Sequence, residues 1–167
     1  MKENNLIVRK GATLILKVAL FVIVGIVVLF CIFVFPSIWK DGPIEFPGLY
    51  YVFPPLVLGL YATVIPFFFG LWQILKLLRY IDKGKTFSDE SMRALKKIKY
   101  AAVIIGIIYL SGLPLLYPIA DADDAPGLLL FGFVFACVPI TVGICAEVLE
   151  RLLQNAIDMK NENDLTV

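Results

Sequence analysis

Residues 18–39 read VALFVIVGIVVLFCIFVFPSIW, 22 positions without a charged side chain. A helix rises ~1.5 Å per residue and bilayer hydrocarbon is ~30 Å thick, so about 20 apolar residues cross it. Three more charge-free stretches follow, Phe46–Leu75, Tyr100–Ala120 and Ala125–Ala146, of 30, 21 and 22 residues. In hydrocarbon each backbone N–H and C=O must bond within its own segment, so these runs read as helices. The expected fold is all-α, an integral membrane four-helix bundle with spans at about 13–36, 52–78, 98–119 and 127–149.

The rest of the 167-residue chain agrees. It is 60% hydrophobic and 17% charged, against about 45–50% and about 25% in ordinary soluble domains. That composition excludes a soluble enzyme or a basic nucleic-acid-binding domain. A cleavable signal is not expected, because the first apolar run is too long and ends in Phe35-Pro36-Ser37-Ile38-Trp39 without a small-x-small site. Cys31, Cys137 and Cys145 all fall inside spans, which argues against a disulfide framework.

The charges orient the spans. One side carries the amino terminus, the connection 76–99 and the tail 147–167, with 14 basic and 9 acidic residues. The other side has 1 basic residue, Lys40, and 5 acidic ones. The excess of Lys and Arg places the first side, with both termini, in the cytoplasm (N-in/C-in). Lys17, one turn inside the first span, is expected to snorkel to the headgroups.

Two elements overrun the apolar stretches on that side, so helices 2–3 and 4 are expected to extend into the cytoplasm. Gly84 marks a turn, and Ser88 with Asp89 and Glu90 makes a helix start that Phe87 can staple onto Met92. The resulting hairpin, 76–99, presents Arg93, Lys96 and Lys97 on one face. After the fourth span, Val148/Leu149, Leu152/Leu153 and Ala156/Ile157 recur every four residues, an amphipathic helix with an acidic tail. Hairpin and tail either pack together within the chain or form a docking surface, with Phe87, Arg93, Lys96, Lys97, Asp158, Glu162, Asp164 and Leu165 as its contacts.

Catalytic chemistry is scarce. The chain has no histidine, hence neither the commonest general base nor the usual zinc ligand. The spans hold no nucleophile–base pair, metal-ligand cluster or phosphate loop, so a non-enzyme without cofactor or metal is expected. Glu147, the one carboxylate bordering a span, is either an ion relay or the partner of Arg151 at i+4. Pro66, Pro114, Pro118 and Pro139 free carbonyls within spans, the pattern of broken helices in transporters. The available lining is Tyr61, Thr63, Gln73, Tyr109, Ser111 and Thr141. Small pairs at Gly59/Thr63, Ala102/Gly106 and Gly132/Ala136 serve close packing within the bundle or a homo-oligomer alike. On the outer side, Asp121, Asp123 and Asp124 form either a solvated turn or an external sensing site for a cation, aided by Asp41 or Glu45.

Several segments together resemble a known family, the domain of unknown function 2975. They are Ile81-Asp82-Lys83-Gly84-Lys85-Thr86-Phe87-Ser88, Leu95-Lys96-Lys97-Ile98, the Ala120–Gly127 turn, Asn155-Ala156-Ile157-Asp158 and Glu162-Asn163-Asp164-Leu165-Thr166-Val167. The resemblance implies a small four-span protein of the bacterial cytoplasmic membrane with no assigned catalytic residues. It also implies a gene beside a short Cro/CI-type helix-turn-helix regulator. From this come two functional expectations: a membrane regulator docking that cytosolic protein without binding nucleic acid itself, or a small transporter or channel. The expected partners are thus the lipid bilayer, the regulator and a second copy of the chain.

Overall fold

A computed structural model describes the backbone of residues 2–84 and 88–165, and the side chains of 13–84, 88–159 and Glu162. Its elements are α1 (Lys2–Leu29), a π-helical turn (Phe30–Val34), α2 (Phe35–Glu45), a 3-10 turn (Pro47–Leu49), α3 (Phe53–Asp82), α4 (Asp89–Ala122) and α5 (Gly127–Leu165). No strand occurs among the described residues. Four stretches, Thr13–Glu45, Phe53–Asp82, Asp89–Ala122 and Gly127–Met159, are long and apolar enough to cross a membrane. The all-α fold with four spanning helices is therefore the one expected.

The helices overrun the expected spans. The first continues through Pro36 and Pro43 to Glu45, where a connection from Ser37 was expected. Ser37 donates to Asp41 one turn on, and Gly42 packs so tightly on the buried Phe53 ring that a Cβ there would overlap it. These contacts hold the extra turns in place. Helix α3 runs unbroken through Pro66, and its 30 residues reach about 45 Å, well beyond the hydrocarbon.

Close packing follows chain order. Helix α4 lies most extensively against α5 and next against α3, while α1 and α2 lean on α3; no other helix pair has a substantial interface among the described residues. At the end holding the α3–α4 turn (the hairpin end), Leu95 and Ile98 of α4 meet Ala146 of α5 and Ile74 and Leu77 of α3. Leu20 of α1 joins Leu71 and Leu78 of α3. At the far end, Val52, Phe53 and Ile119 gather Ile38, Phe46, Leu115 and Leu128 around them.

The small residues work inside the chain. A Cβ on Gly59 would touch Ile108, one on Gly70 would touch Ala101, and one on Gly132 would press on Leu113 and Leu116. Glycine thus lets α3 and α5 each approach α4 closely.

The result is an open layer of helices with little interior. The chain exposes 11507 Å² for 18.6 kDa, where a compact soluble monomer of that mass exposes roughly 8200 Å². Leu14, Phe21, Phe33, Ile65, Phe131 and Phe135 are among the large apolar side chains facing outward. Trp39, Tyr50 and Tyr51 at the far end and Trp72 at the hairpin end are exposed too, at the levels where aromatic residues anchor a helix in the interface.

Candidate functional site

Two arrangements carry polar chemistry, and helix phase explains each. The first joins α4 to α5 where their charge-free stretches end. Lys99 lies three residues before Ala102 and seven before Gly106, on the stripe of α4 that faces α5. Its Nζ lies 2.6 Å from Glu147 Oε2 and 2.6 Å from Glu150 Oε2. Arg151 closes the cluster from the next turn, with Nε and Nη2 each 3.0 Å from Glu147 Oε1. Lys99 and Glu150 are largely buried there, with side chains 17% and 19% exposed, whereas the Arg151 side chain is 77% exposed.

Two of the expected residues gain further partners here. The Glu147–Arg151 pair is present, and Glu147 also binds Lys99, so it is clamped between two cations. Lys17, expected to snorkel, has its Nζ 2.7 Å from Asp82 Oδ2, which ties α1 to the end of α3.

The second arrangement is a repaired backbone defect. In the π-turn the Phe35 N–H reaches back to Phe30 O. The next residue, Pro36, has no N–H to offer, so the Cys31 carbonyl lacks a helical partner. Tyr61 of α3 donates its hydroxyl to that oxygen at 2.9 Å, and its ring meets Phe35 edge-on at 5.1 Å. An unsatisfied carbonyl in hydrocarbon is costly. Tyr61→Phe is accordingly expected to destabilise the chain by about 1–2 kcal/mol, read as a lower thermal midpoint in detergent; an unchanged midpoint would show that the carbonyl is satisfied in another way.

Three of the hydroxyls available to line a polar path are also engaged. Thr63 donates to Leu60 O, Ser111 to Ile108 O and Thr141 to Cys137 O, all within their own helices. Two hollows among the described residues open outward on the layer: one of about 340 Å³ beside Trp39 and Tyr61, one of about 510 Å³ between α4 and α5.

Of the expected docking residues, Arg93, Lys96 and Lys97 are exposed on the side of α4 away from Ala94, Leu95 and Ile98. No hydrogen bond or ion pair engages any of the three among the described residues. Asp158 is exposed and accepts from Gln154 at 2.9 Å, and Glu162 is exposed. Phe87 and the side chains of Asp164 and Leu165 lie outside the described residues.

The far-end aspartates make a turn. Asp124 adopts φ 50°, its N–H donates to Asp121 O, and the Ala125 N–H reaches Ala120 O at 2.9 Å. That is the Schellman closure of a helix, with aspartate in the left-handed position usually held by glycine. Asp121, Asp123 and Asp124 are all exposed. No group of three or more His, Cys, Asp or Glu side chains is placed to hold a metal among the described residues.

Comparison with known proteins fits this architecture. The family described as "Protein of unknown function (DUF2975)" matches residues 38–167. The chain belongs to the DUF2975 family. A relative, the "Uncharacterized membrane protein YoaS" of Bacillus subtilis (strain 168), is 47% identical over 160 residues, covering 95% of this chain and 99% of that protein. No solved structure matches. The 38–167 match takes in α3–α5 and so contains every member of the Lys99 cluster, the Tyr61 donor and the exposed α4 cations of this DUF2975 protein.

Proposed function

We propose that this protein is a non-enzymatic regulator of the bacterial cytoplasmic membrane, with both ends and the α3–α4 turn in the cytoplasm, that holds a small helix-turn-helix regulator against its cytoplasmic face. The observation that carries the reading is the division of labour among the hairpin cations. Lys99 is neutralised within the chain, whereas Arg93, Lys96 and Lys97 stand exposed and, among the described residues, unpaired on an element that overruns the membrane. Exposed, unpaired cations at such a position favour an acidic protein surface. The exposed Asp158 and Glu162 add a second, opposite patch, suited to the basic surface with which a DNA-binding protein meets phosphates. The 14-to-1 division of basic residues supports the orientation, and the family resemblance supports the class of partner.

The test is retention of the neighbouring regulator on membranes bearing the tagged chain. Changing Arg93, Lys96 and Lys97 together to glutamate is expected to release it at least about tenfold, and raised salt to weaken the wild-type complex. Deletion of 155–167 should also release it. A regulator that never binds, or that binds both variants as well as the wild type, overturns the docking reading.

A further inference from the structure

The hollow between α4 and α5 is a groove with a polar mouth and apolar walls. Lys99, Glu147 and Arg151 stand at one end, and Val103, Ile107, Leu110, Ile140 and Ile144 line the rest. Gly143 forms part of its floor, where a Cβ would lie 3.3 Å from Val103 Cγ2, so the groove exists because α5 has no side chain at that point. Lys99 and Glu147 each adjoin a charge-free stretch, which places the mouth at the membrane boundary.

Two dimensions decide what fits. From Lys99 to Leu110 the groove descends 11 residues of helix, about 16 Å. That is close to half of the ~30 Å hydrocarbon thickness, the depth of one leaflet. A spanning helix from a second copy would need a seat along the whole thickness; an acyl chain needs one leaflet. The mouth then selects the head. Lys99 and Arg151 against Glu147 and Glu150 sum to zero charge, and the guanidinium, bound to Glu147 through Nε and Nη2, keeps its remaining N–H donors for solvent or ligand. A phosphate suits those donors, and an ammonium suits the carboxylates beside them.

We propose that this groove is a binding site for one phospholipid with a zwitterionic phosphate–amine head, of the phosphatidylethanolamine class, drawn from the leaflet on the hairpin side. Its phosphate meets Arg151, its amine meets Glu147, and one acyl chain lies along Val103, Ile107 and Ile144. The site stands apart from regulator docking, and its test reads lipid alone.

The full chain is reconstituted in nanodiscs holding equal amounts of phosphatidylethanolamine and phosphatidylglycerol with matched acyl chains. It is then extracted in mild detergent, and the lipids still bound are counted by native mass spectrometry. One retained phosphatidylethanolamine per chain, favoured about fivefold or more over phosphatidylglycerol, is the expected result. Arg151→Gln removes the partner of the phosphate that both lipids carry and should lower retention of each, whereas Glu147→Gln removes the partner of the amine and should bring the preference close to unity. Ile144→Trp fills the groove at an exposed position, and should abolish retention of either lipid while leaving the thermal midpoint of the lipid-stripped protein unchanged. Equal retention of the two lipids, a preference for phosphatidylglycerol, or variants that retain what the wild type retains would overturn the site.

Discussion

Replacing Lys99 by methionine is expected to lower the thermal midpoint in detergent by about 4–8 °C, although methionine keeps most of the apolar stem. The reason is what remains. Glu147 and Glu150 lie one turn apart on α5, and Lys99 is the cation that faces both, at 2.6 Å each. Without it, two carboxylates repel one another at the membrane boundary, and only Arg151 is left to answer Glu147. The decisive comparison is a rescue. Adding Glu147→Gln and Glu150→Gln to the Lys99→Met chain should recover more than half of the lost midpoint, since the variant then buries no unpaired charge. A single Lys99→Met substitution that leaves the midpoint in place would show that the cluster is only a surface contact.

Gly106→Leu acts on the same interface through shape. A Cβ at Gly106 would come within 2.7 Å of Ile140 Cγ1 and 3.7 Å of the Ile140 backbone nitrogen. Alanine can be admitted if Ile140 turns aside, whereas leucine has to push α5 away. Overpacking of this kind costs about 1–3 kcal/mol, and the upper part of that range is expected for leucine. The midpoint should fall in the order glycine, alanine, leucine. Gly106 lies two turns from Lys99 on the same stripe, so a displaced α5 also carries Glu147 and Glu150 out of reach. The losses from Gly106→Leu and Lys99→Met should therefore add to less than their sum. Full additivity would mean that the close crossing and the charge cluster are independent.

The four spans were legible because absence of charge over more than 20 residues has few physical outcomes. Gly84 and Ser88 were legible for a similar reason: the left-handed φ of 72° at the turn suits glycine, and the Ser91 N–H takes the Ser88 hydroxyl as its cap. The role of Lys99 was harder to read, since along the chain it looks like Lys96 and Lys97. Only its phase distinguishes it. Lys99, Ala102 and Gly106 fall on one face of α4, Gly143, Glu147 and Glu150 on one face of α5, and matching the two stripes would have paired the charges. The Tyr61 bond to Cys31 had a fainter signal. Pro36 announced a carbonyl without a helical partner, but the register between α3 and the first span decides which side chain reaches it. That register comes from packing, such as Leu20 on Leu71 and Gly42 on Phe53, and no local pattern encodes it.

An arrangement in which each helix leans on its predecessor has a consequence for biosynthesis. Chains are made from the amino terminus and their parts fold as they emerge. Here α3 finds α1 and α2 already inserted, α4 finds α3, and α5 finds α4, so among the described residues no helix waits for its main partner to leave the ribosome. Only when α5 arrives do Glu147 and Glu150 reach Lys99, which makes that clasp the closing event of assembly. A chain arrested before Glu147 would hold three inserted helices in their final order and an ammonium group still waiting for its acids.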